Sequence, residues 1–215
     1  MMPQEERLVE TLQLLQLHYD AYTEIKPYAD KYAHPHPTDT RGWSQIIVSA
    51  LTGIQGYSRK KGPDLEDGSD VKGANCWDAI DTPRFNGCIK AGTHASTADS
   101  LSSLDSMPYL FFVMWDMTEK TGHKRCRIWV VRTQHDVEFR KIAGAWYHQR
   151  EEGIIKSNNF QLHPPRNLDR NVFRNNCGHL KYPLLFEARI DNGLFSCTTY
   201  NEVVMTRGAC ITSEG

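Results

Sequence analysis

Two strand-like runs in the middle of the chain predict two strong strands of the fold. Residues 109–115 are almost wholly apolar, as in a central strand that is covered on both faces. Residues 125–132 form a second run with turn and cap signals on either side. Further along, residues 182–190 and 194–200 flank an Asp-Asn-Gly turn, which predicts a β-hairpin.

The first predicted helix covers residues 4–33 and ends at Pro27 or at the break before His34. Its larger apolar residues recur at the a and d positions of a short heptad pattern: Leu8, Leu12, Leu15, Tyr19 and Tyr22. A narrow stripe of this kind either docks on the core of its own subunit or packs against the same helix of a second subunit. If it docks, a dimer would use another surface, such as the final hairpin.

Two more helices complete the predicted architecture. One runs from Trp43 to Thr52 and would bury Ile46, Ile47, Leu51 and Ile54. The other starts at Gln134 or Asp136, reaches about Glu152, and would turn inward Val137, Ile142, Trp146 and Tyr147. The order of helix, hairpin, strand, strand and helix predicts an α/β fold, with a mixed central sheet flanked by helices.

Composition limits the classes of protein that are compatible with this pattern. A chain of 215 residues with 40% hydrophobic content can form one sizeable core, so we expect a single domain over 1–215. We find neither an apolar run of about 18 residues nor the basic and apolar regions of a signal peptide. The six cysteines include no C-x-x-C pair. These features predict a cytoplasmic protein with reduced thiols.

The segment 59–75 contains the strongest candidate chemistry. It reads as a tight β-hairpin with a three-residue loop, 66–68, in which Gly68 takes the left-handed conformation. This register places Asp64 opposite Asp70, with Lys72 on the same face, whereas a two-residue loop would send Asp64 to the other face. Opposed residues have Cβ atoms about 4.5 to 5.5 Å apart, and two carboxylates at that distance repel each other unless a cation neutralises them.

Two carboxylates and a lysine on one face suit Mg²⁺ and phosphodiester hydrolysis. Asp64 and Asp70 would bind the metal ion, and Lys72 would orient a water or stabilise charge on phosphorus. The alternative is an ordinary exposed, charged turn. Cys177 and His179 could hold part of a zinc site, but no second pair of ligands accompanies them.

Basic residues are concentrated in one third of the chain. Residues 119–181 contain 13 Lys and Arg against 6 Asp and Glu, although the net charge of the whole chain is −1. A solvated basic face is one interpretation, and a phosphate-binding surface is the other. Arg170, Arg174 and Lys181 are candidates for phosphate contacts. Two sets could read base edges: Asn159, Gln161, His163 and Arg166, or else Arg84, Asn86 and Lys90.

Several segments together resemble a known family. Pro63-Asp64 followed by Asp70-x-Lys72 resembles the PD-(D/E)xK nuclease signature, although the spacing is short and Asp replaces the commoner Glu. The segments GPDLEDGSDVKGANCWDAIDTPRFNGCIKAG, MPYLFFVMWD, RCRIWVVR and SNNFQLHPPR are similar to those of type II restriction endonucleases of the MamI type.

This resemblance implies a bacterial or archaeal enzyme with a PD-(D/E)xK restriction-endonuclease-like fold. A homodimer would cut both strands of duplex DNA at a short interrupted palindrome related to GATC, using Mg²⁺ and leaving 5′-phosphate and 3′-hydroxyl ends. It also implies a partner DNA methyltransferase that is linked genetically rather than as a stable complex. We expect an N-terminal helical region at about 4–54 and a DNA-contacting segment at about 153–182.

Three functions from other classes remain compatible with the sequence. A DNA-repair or structure-selective nuclease with the same site would cut flaps or mismatches rather than a fixed sequence. A noncatalytic DNA-binding regulator would keep its function after loss of Asp64 or Lys72. A zinc-stabilised interaction module would depend on Cys177 and His179.

Overall fold

The computed structural model describes residues 2–34, 40–57, 62–75, 83–89, 101–116, 124–164 and 172–206. Its helices are α1 (Gln4–Lys31), α2 (Arg41–Thr52), α3 (Ser102–Asp105), α4 (Val137–Glu151) and α5 (Val203–Thr206). Its strands are β1 (Asp70–Asn75), β2 (Leu110–Asp116), β3 (Arg125–Val131), β4 (Val172–Asn175), β5 (Gly178–Lys181), β6 (Leu184–Asp191) and β7 (Leu194–Tyr200).

Five strands form a mixed sheet in the order β1-β2-β3-β6-β7. β1 runs parallel to β2, and the other neighbours are antiparallel. Every residue of β2 is buried, as its apolar run predicts, and every residue of β3 is buried as well, including Arg125 and Arg127. β4 and β5 form a separate two-stranded sheet. The predicted α/β class, with a mixed central sheet flanked by helices, is therefore confirmed.

Each face of the sheet has its own hydrophobic core. Val71, Val113 and Ile128 face a layer that includes α1 and α2. Phe112 and Trp129 face the opposite layer, which includes α4, the β4–β5 hairpin and the segments around Phe85 and Phe160. Lys72 is the sheet partner of Phe112, so the Lys72 side chain lies on the same face of the sheet as this second layer.

The apolar stripe of α1 docks on the core of its own subunit. Leu15 is fully buried, and the rest of the stripe packs against the same core: Leu8, Leu12, Tyr19 and Tyr22. The helix also continues past Pro27 to Lys31. The stripe is therefore not available as a dimer interface, and the docking alternative holds.

Two predicted inward residues point to solvent instead. Ile46 in α2 is 54% exposed and Val137 in α4 is 73% exposed. In α2 the buried face contains Ile47, Val48 and Leu51, which leaves Ile46 on the helix edge. Val137 is the first residue of α4, and the packed face of the helix begins at Phe139. The other predicted inward residues of α4 are buried: Ile142, Trp146 and Tyr147.

Part of the basic charge in residues 119–181 is internal. Arg125 and Arg127 are each 1% exposed and both approach Asp116, which is fully buried at the end of β2. The Nε atom of Arg125 lies 3.1 Å from Asp116 Oδ2, and the Nη2 atom of Arg127 lies 2.6 Å from the same oxygen. Glu187 adds a second acid to the cluster. These arginines stabilise the interior and are not a surface for phosphate.

The final hairpin forms where the sequence predicts it. Asn192 and Gly193 both have positive φ angles, 50° and 85°, as a two-residue hairpin turn requires. Within the described residues, none of the helices is long and apolar enough to cross a membrane.

Candidate active site

The tip of the predicted hairpin at 65–69 has the expected loop. Leu65 N donates to Ser69 O at 3.1 Å, and Gly68 N donates to Leu65 O at 3.1 Å. Gly68 has a φ of 95°, and a Cβ atom at this position would lie only 2.6 Å from Ser106 O. Glycine is therefore required at this position for two reasons: it allows the left-handed backbone conformation, and it avoids a clash with Ser106.

Beyond the tip, the predicted antiparallel ladder does not continue, and this expectation was wrong. Asp70 begins β1, which pairs in parallel with β2, so that its main-chain partner is Leu110 and not Asp64. Asp64 belongs to a short stretch that pairs with Gly56 and Tyr57. A strand has only two edges. At the second edge of β1, the main chain donates a hydrogen bond to the Asp64 side chain instead of pairing with a second strand. Sequence reasoning could not foresee that β2, 40 residues away, would compete for the first edge.

The two carboxylates nevertheless lie side by side. Val71 N donates both to Asp64 Oδ2 at 2.9 Å and to Asp70 Oδ1 at 3.1 Å. Lys72 Nζ lies 2.6 Å from Asp70 Oδ2. Asp64, Asp70 and Lys72 therefore form one cluster at the edge strand of the sheet, although by a different backbone route from the one predicted.

A fourth residue joins this cluster from α2. The Nε2 atom of Gln45 donates to Asp64 Oδ1 at 2.7 Å. No sequence pattern predicts this contact, because Gln45 lies in a helix whose packing against β1 only the tertiary structure defines. Gln45 fixes the orientation of the Asp64 carboxylate.

The charge balance of the cluster favours a cation. Burial, together with a hydrogen bond and Coulombic repulsion from Asp70, raises the pKa of Asp64 to about 7. Burial also tends to raise the pKa of Asp70, but the hydrogen bond with Asp64 and the charge of Lys72 outweigh it, so this pKa is lowered. The two carboxylates and the one ammonium group thus retain a proton near neutral pH. A divalent cation that binds the carboxylates would displace this proton.

The donor atoms also suit a hard cation such as Mg²⁺, which prefers carboxylate oxygens and retains several waters. In the described part of the chain, no group of three or more His, Cys, Asp or Glu side chains could hold a metal ion. The candidate site contains two such acids, and Mg²⁺ is commonly bound through one or two carboxylates together with substrate phosphate.

The two predicted base-reading sets come together in space. Phe85 and Leu162 form an isolated antiparallel bridge, which joins the segment of Arg84 and Asn86 to that of Asn159, Gln161 and His163. Arg84 and Asn86 are exposed, whereas the other three are half-buried. From the sequence, the two segments are alternative predictions for base contacts. In the fold they lie next to each other.

The remaining predicted DNA-binding residues are distributed differently. Lys181 is exposed at the end of β5, and Arg174 lies in β4 with His179 as its main-chain partner. Lys90, Arg166 and Arg170 lie outside the described residues. Cys177, the candidate zinc ligand, has its Sγ atom 3.7 Å from Gln149 Oε1.

Comparisons with known proteins agree with the resemblance noted in the sequence. The model of the MamI restriction endonuclease family matches residues 27–193, a range that contains the Asp64 cluster and both segments predicted to read bases. The type II restriction enzyme MamI of Microbacterium ammoniaphilum is 30% identical over 164 residues, which cover 71% of this chain and 52% of that enzyme. The chain therefore spans about half the length of the curated relative it matches. No solved structure matches the chain. With a match over more than half of its length, this chain belongs to the MamI restriction endonuclease family.

Proposed function

We propose that this protein is a type II restriction endonuclease that hydrolyses both strands of duplex DNA at a short palindrome, interrupted by unread base pairs. The reaction requires Mg²⁺ and leaves 5′-phosphate and 3′-hydroxyl ends. The observation that carries the proposal is the convergence of Asp64, Asp70 and Lys72 on one edge strand. Membership of the family supports DNA as the substrate.

Each residue of the cluster has a definite role in this proposal. Asp64 and Asp70 hold Mg²⁺ against the scissile phosphate. The bound ion would lower the pKa of a water molecule and offset charge that develops on phosphorus. Lys72 orients the attacking water or neutralises the same charge with its ammonium group. Gln45 keeps the Asp64 carboxylate aimed at the metal through its 2.7 Å hydrogen bond.

DNA binding is assigned to two kinds of residue. Base edges would be read from the bridged segments and their continuations: Arg84, Asn86, Lys90, Asn159, Gln161, His163 and Arg166. Phosphates would be contacted by Arg170, Arg174 and Lys181, which position the duplex without selecting its sequence. All of these residues belong to the range that the family model matches.

A homodimer follows from the number of sites. The chain has one Asp64 cluster, and cleavage of both strands of a symmetric sequence is most simply achieved by two copies that share the two-fold axis of the DNA. A cell that contains this nuclease also needs a DNA methyltransferase that protects its own copies of the site. The cytoplasm, where that DNA lies, is the compartment we propose.

Plasmid cleavage tests the proposed function directly. Wild-type protein with Mg²⁺ should give discrete fragments whose mapped ends share one short sequence. Asp64→Asn and Asp70→Asn, which keep side-chain shape, should each lower the rate by at least about a hundredfold, as should Lys72→Met. Glu66→Gln is the matched control, because Glu66 is an exposed acid in the adjacent loop.

The possible results separate the alternatives. Near wild-type cleavage by any of the three site variants would show that the cluster is not catalytic. Cleavage of flaps or mismatches in place of a fixed sequence would identify a structure-selective nuclease. DNA binding without cleavage by the wild type would identify a noncatalytic regulator.

A further inference from the structure

Residues 83–89 and 158–163 form a short antiparallel ribbon on the second face of the sheet. Phe85 N donates to Leu162 O at 2.8 Å, Leu162 N donates to Phe85 O at 3.0 Å, and Cys88 N donates to Phe160 O at 3.2 Å. Two residues, Asn86 and Gly87, therefore lie opposite a single residue, Gln161, on the other segment. This is a β-bulge, and the φ of 62° at Gly87 fits it.

Aromatic side chains fix the ribbon to the fold. The ring of Phe85 lies 4.9 Å from that of Phe112 in β2, and the ring of Phe160 lies 5.5 Å from that of Trp146 in α4. Both phenylalanines are fully buried. The ribbon is thus anchored in the second core, with Arg84 and Asn86 exposed and Asn159 half-buried.

The anchoring of Phe85 also places the ribbon near the catalytic cluster. Phe112 is the main-chain partner of Lys72 on the neighbouring strand, and the two side chains share one face of the sheet. Neighbouring strands lie about 4.8 Å apart, so Phe85 packs within about one side-chain layer of Lys72. If the scissile phosphate binds at Lys72, as the proposed function has it, base pairs close to the cut would face the ribbon.

A chain of hydrogen bonds fixes the direction of both asparagine amides. Gly87 N is a donor, so the atom that receives it at 2.5 Å must be the oxygen of Asn159. The nitrogen of Asn159 then donates to the oxygen of Asn86 at 3.3 Å. Each amide oxygen is engaged within the ribbon. The groups available to a ligand are mainly N–H donors: those of Asn86, the second hydrogen on Asn159 Nδ2, and the exposed Arg84 guanidinium.

We infer that this ribbon reads guanine in the major groove of the DNA substrate, with Asn86, Asn159 and Arg84 donating to its O6 and N7 atoms. A two-stranded ribbon fits the major groove, and guanine is the base that presents two adjacent acceptors there. Adenine, the usual partner of asparagine, requires an amide oxygen that faces the base, whereas each of these oxygens is turned toward a donor within the ribbon. This inference rests on the proposed function, because it assumes a duplex DNA substrate.

The experiment uses duplexes that carry the recognition sequence mapped from plasmid cleavage. Each guanine is replaced in turn by 7-deazaguanine, which lacks the N7 acceptor but still pairs with cytosine. For wild-type protein, kcat/KM should fall roughly tenfold at one guanine position in each half-site. Asn86→Ala should show a similar loss on unmodified DNA and no further loss with the analogue at that position.

Three further variants control for indirect effects. Asn159→Ala should behave like Asn86→Ala, but it also removes the acceptor for Gly87 N, so the melting temperature of both variants is measured. Gln13→Ala removes an exposed amide from α1, in the layer on the opposite face, and should match wild type. Lys181→Ala should weaken cleavage at all sequences alike while keeping the sensitivity to 7-deazaguanine.

The results that would overturn the inference are separable from failure of the proposed function. A recognition sequence without guanine, or equal cleavage of analogue and unmodified duplexes, shows that the ribbon does not read N7. If a folded Asn86→Ala protein keeps the wild-type sensitivity to 7-deazaguanine, the ribbon likewise does not read N7. Equal weakening of cognate and noncognate DNA in both asparagine variants would make the ribbon a phosphate contact. Absence of cleavage by the wild type defeats the proposed function itself, and the inference with it.

Discussion

At the residue scale, the proposed Mg²⁺ site predicts that Asp64 couples the protonation of the site to metal binding. Its pKa is raised to about 7 by burial and by the neighbouring Asp70, whereas a carboxylate ligand must be deprotonated. We expect Mg²⁺ affinity to fall about tenfold per pH unit below pH 7 and to level off above it. Calorimetry in two buffers of different ionisation enthalpy should count nearly one proton released per ion at about pH 6.

The same raised pKa has a consequence for folding without metal. Between the unfolded pKa of 3.8 and the folded value of about 7, the native state binds more protons than the unfolded state. The contribution of Asp64 to stability is therefore lost as pH rises through this window. Asp64→Asn should remove both the proton release and this dependence, whereas Glu66→Gln should keep them. Constant Mg²⁺ affinity between about pH 5.5 and 7.5 would contradict the assignment.

At the element scale, the ends of β2 and β3 are held together by a buried ionic cluster. Asp116 is fully buried and accepts hydrogen bonds from Arg125 and Arg127. Asp116→Asn keeps the shape but removes the negative charge that both buried guanidinium groups contact, so we expect a loss of about 3 to 5 kcal/mol in the free energy of unfolding. Urea denaturation monitored by tryptophan fluorescence measures it.

An exposed ion pair provides the control for this cluster. Asp105 is 62% exposed at its side chain and lies 2.8 Å from Arg140. Asp105→Asn should cost less than about 1 kcal/mol, because water screens the pair and solvates the arginine that remains. Equal losses in the two variants would mean that the Asp116 cluster is hydrated rather than a part of the dry core.

At the scale of the whole molecule, we expect two copies to associate. Light scattering at micromolar concentration should give a mass near twice 24.6 kDa. Because Leu15 is fully buried, replacing Leu12 and Leu15 by aspartate should unfold the chain rather than separate a dimer. The final hairpin is the surface to test, since Leu194 at its turn is an apolar residue that is 65% exposed.

A charge at the hairpin turn tests this location. Leu194→Glu should halve the mass and leave single-strand nicks in plasmid DNA, because each copy contributes one catalytic cluster. Val137→Glu introduces the same charge at an exposed apolar position of α4 and should remain dimeric. A monomeric wild type that still cuts both strands at one site would contradict the dimer, and a dimeric Leu194→Glu would place the interface elsewhere.

The sequence by itself determined the features that depend on local preference and on burial. An almost wholly apolar run predicted β2, a strand-like segment between turn and cap signals predicted β3, Asn192-Gly193 predicted the last hairpin, and Gly68 predicted the loop beside the acids. These predictions succeed because strand burial, turn geometry and left-handed backbone are properties of a few adjacent residues. Asp64, Asp70 and Lys72 could be named for a similar reason, since acids and a lysine of suitable type lie within nine residues.

The tertiary structure alone decided how distant segments share edges and faces. β2 takes one edge of β1, so Asp64 reaches Asp70 through its side chain, and α2 brings Gln45 to the same carboxylate. The arginines of β3 meet Asp116 inside the protein, and the two segments predicted to read bases join as one ribbon. Each of these contacts joins segments that lie apart along the chain. The free energy that selects them comes from packing of the whole core, which no local pattern of residues encodes.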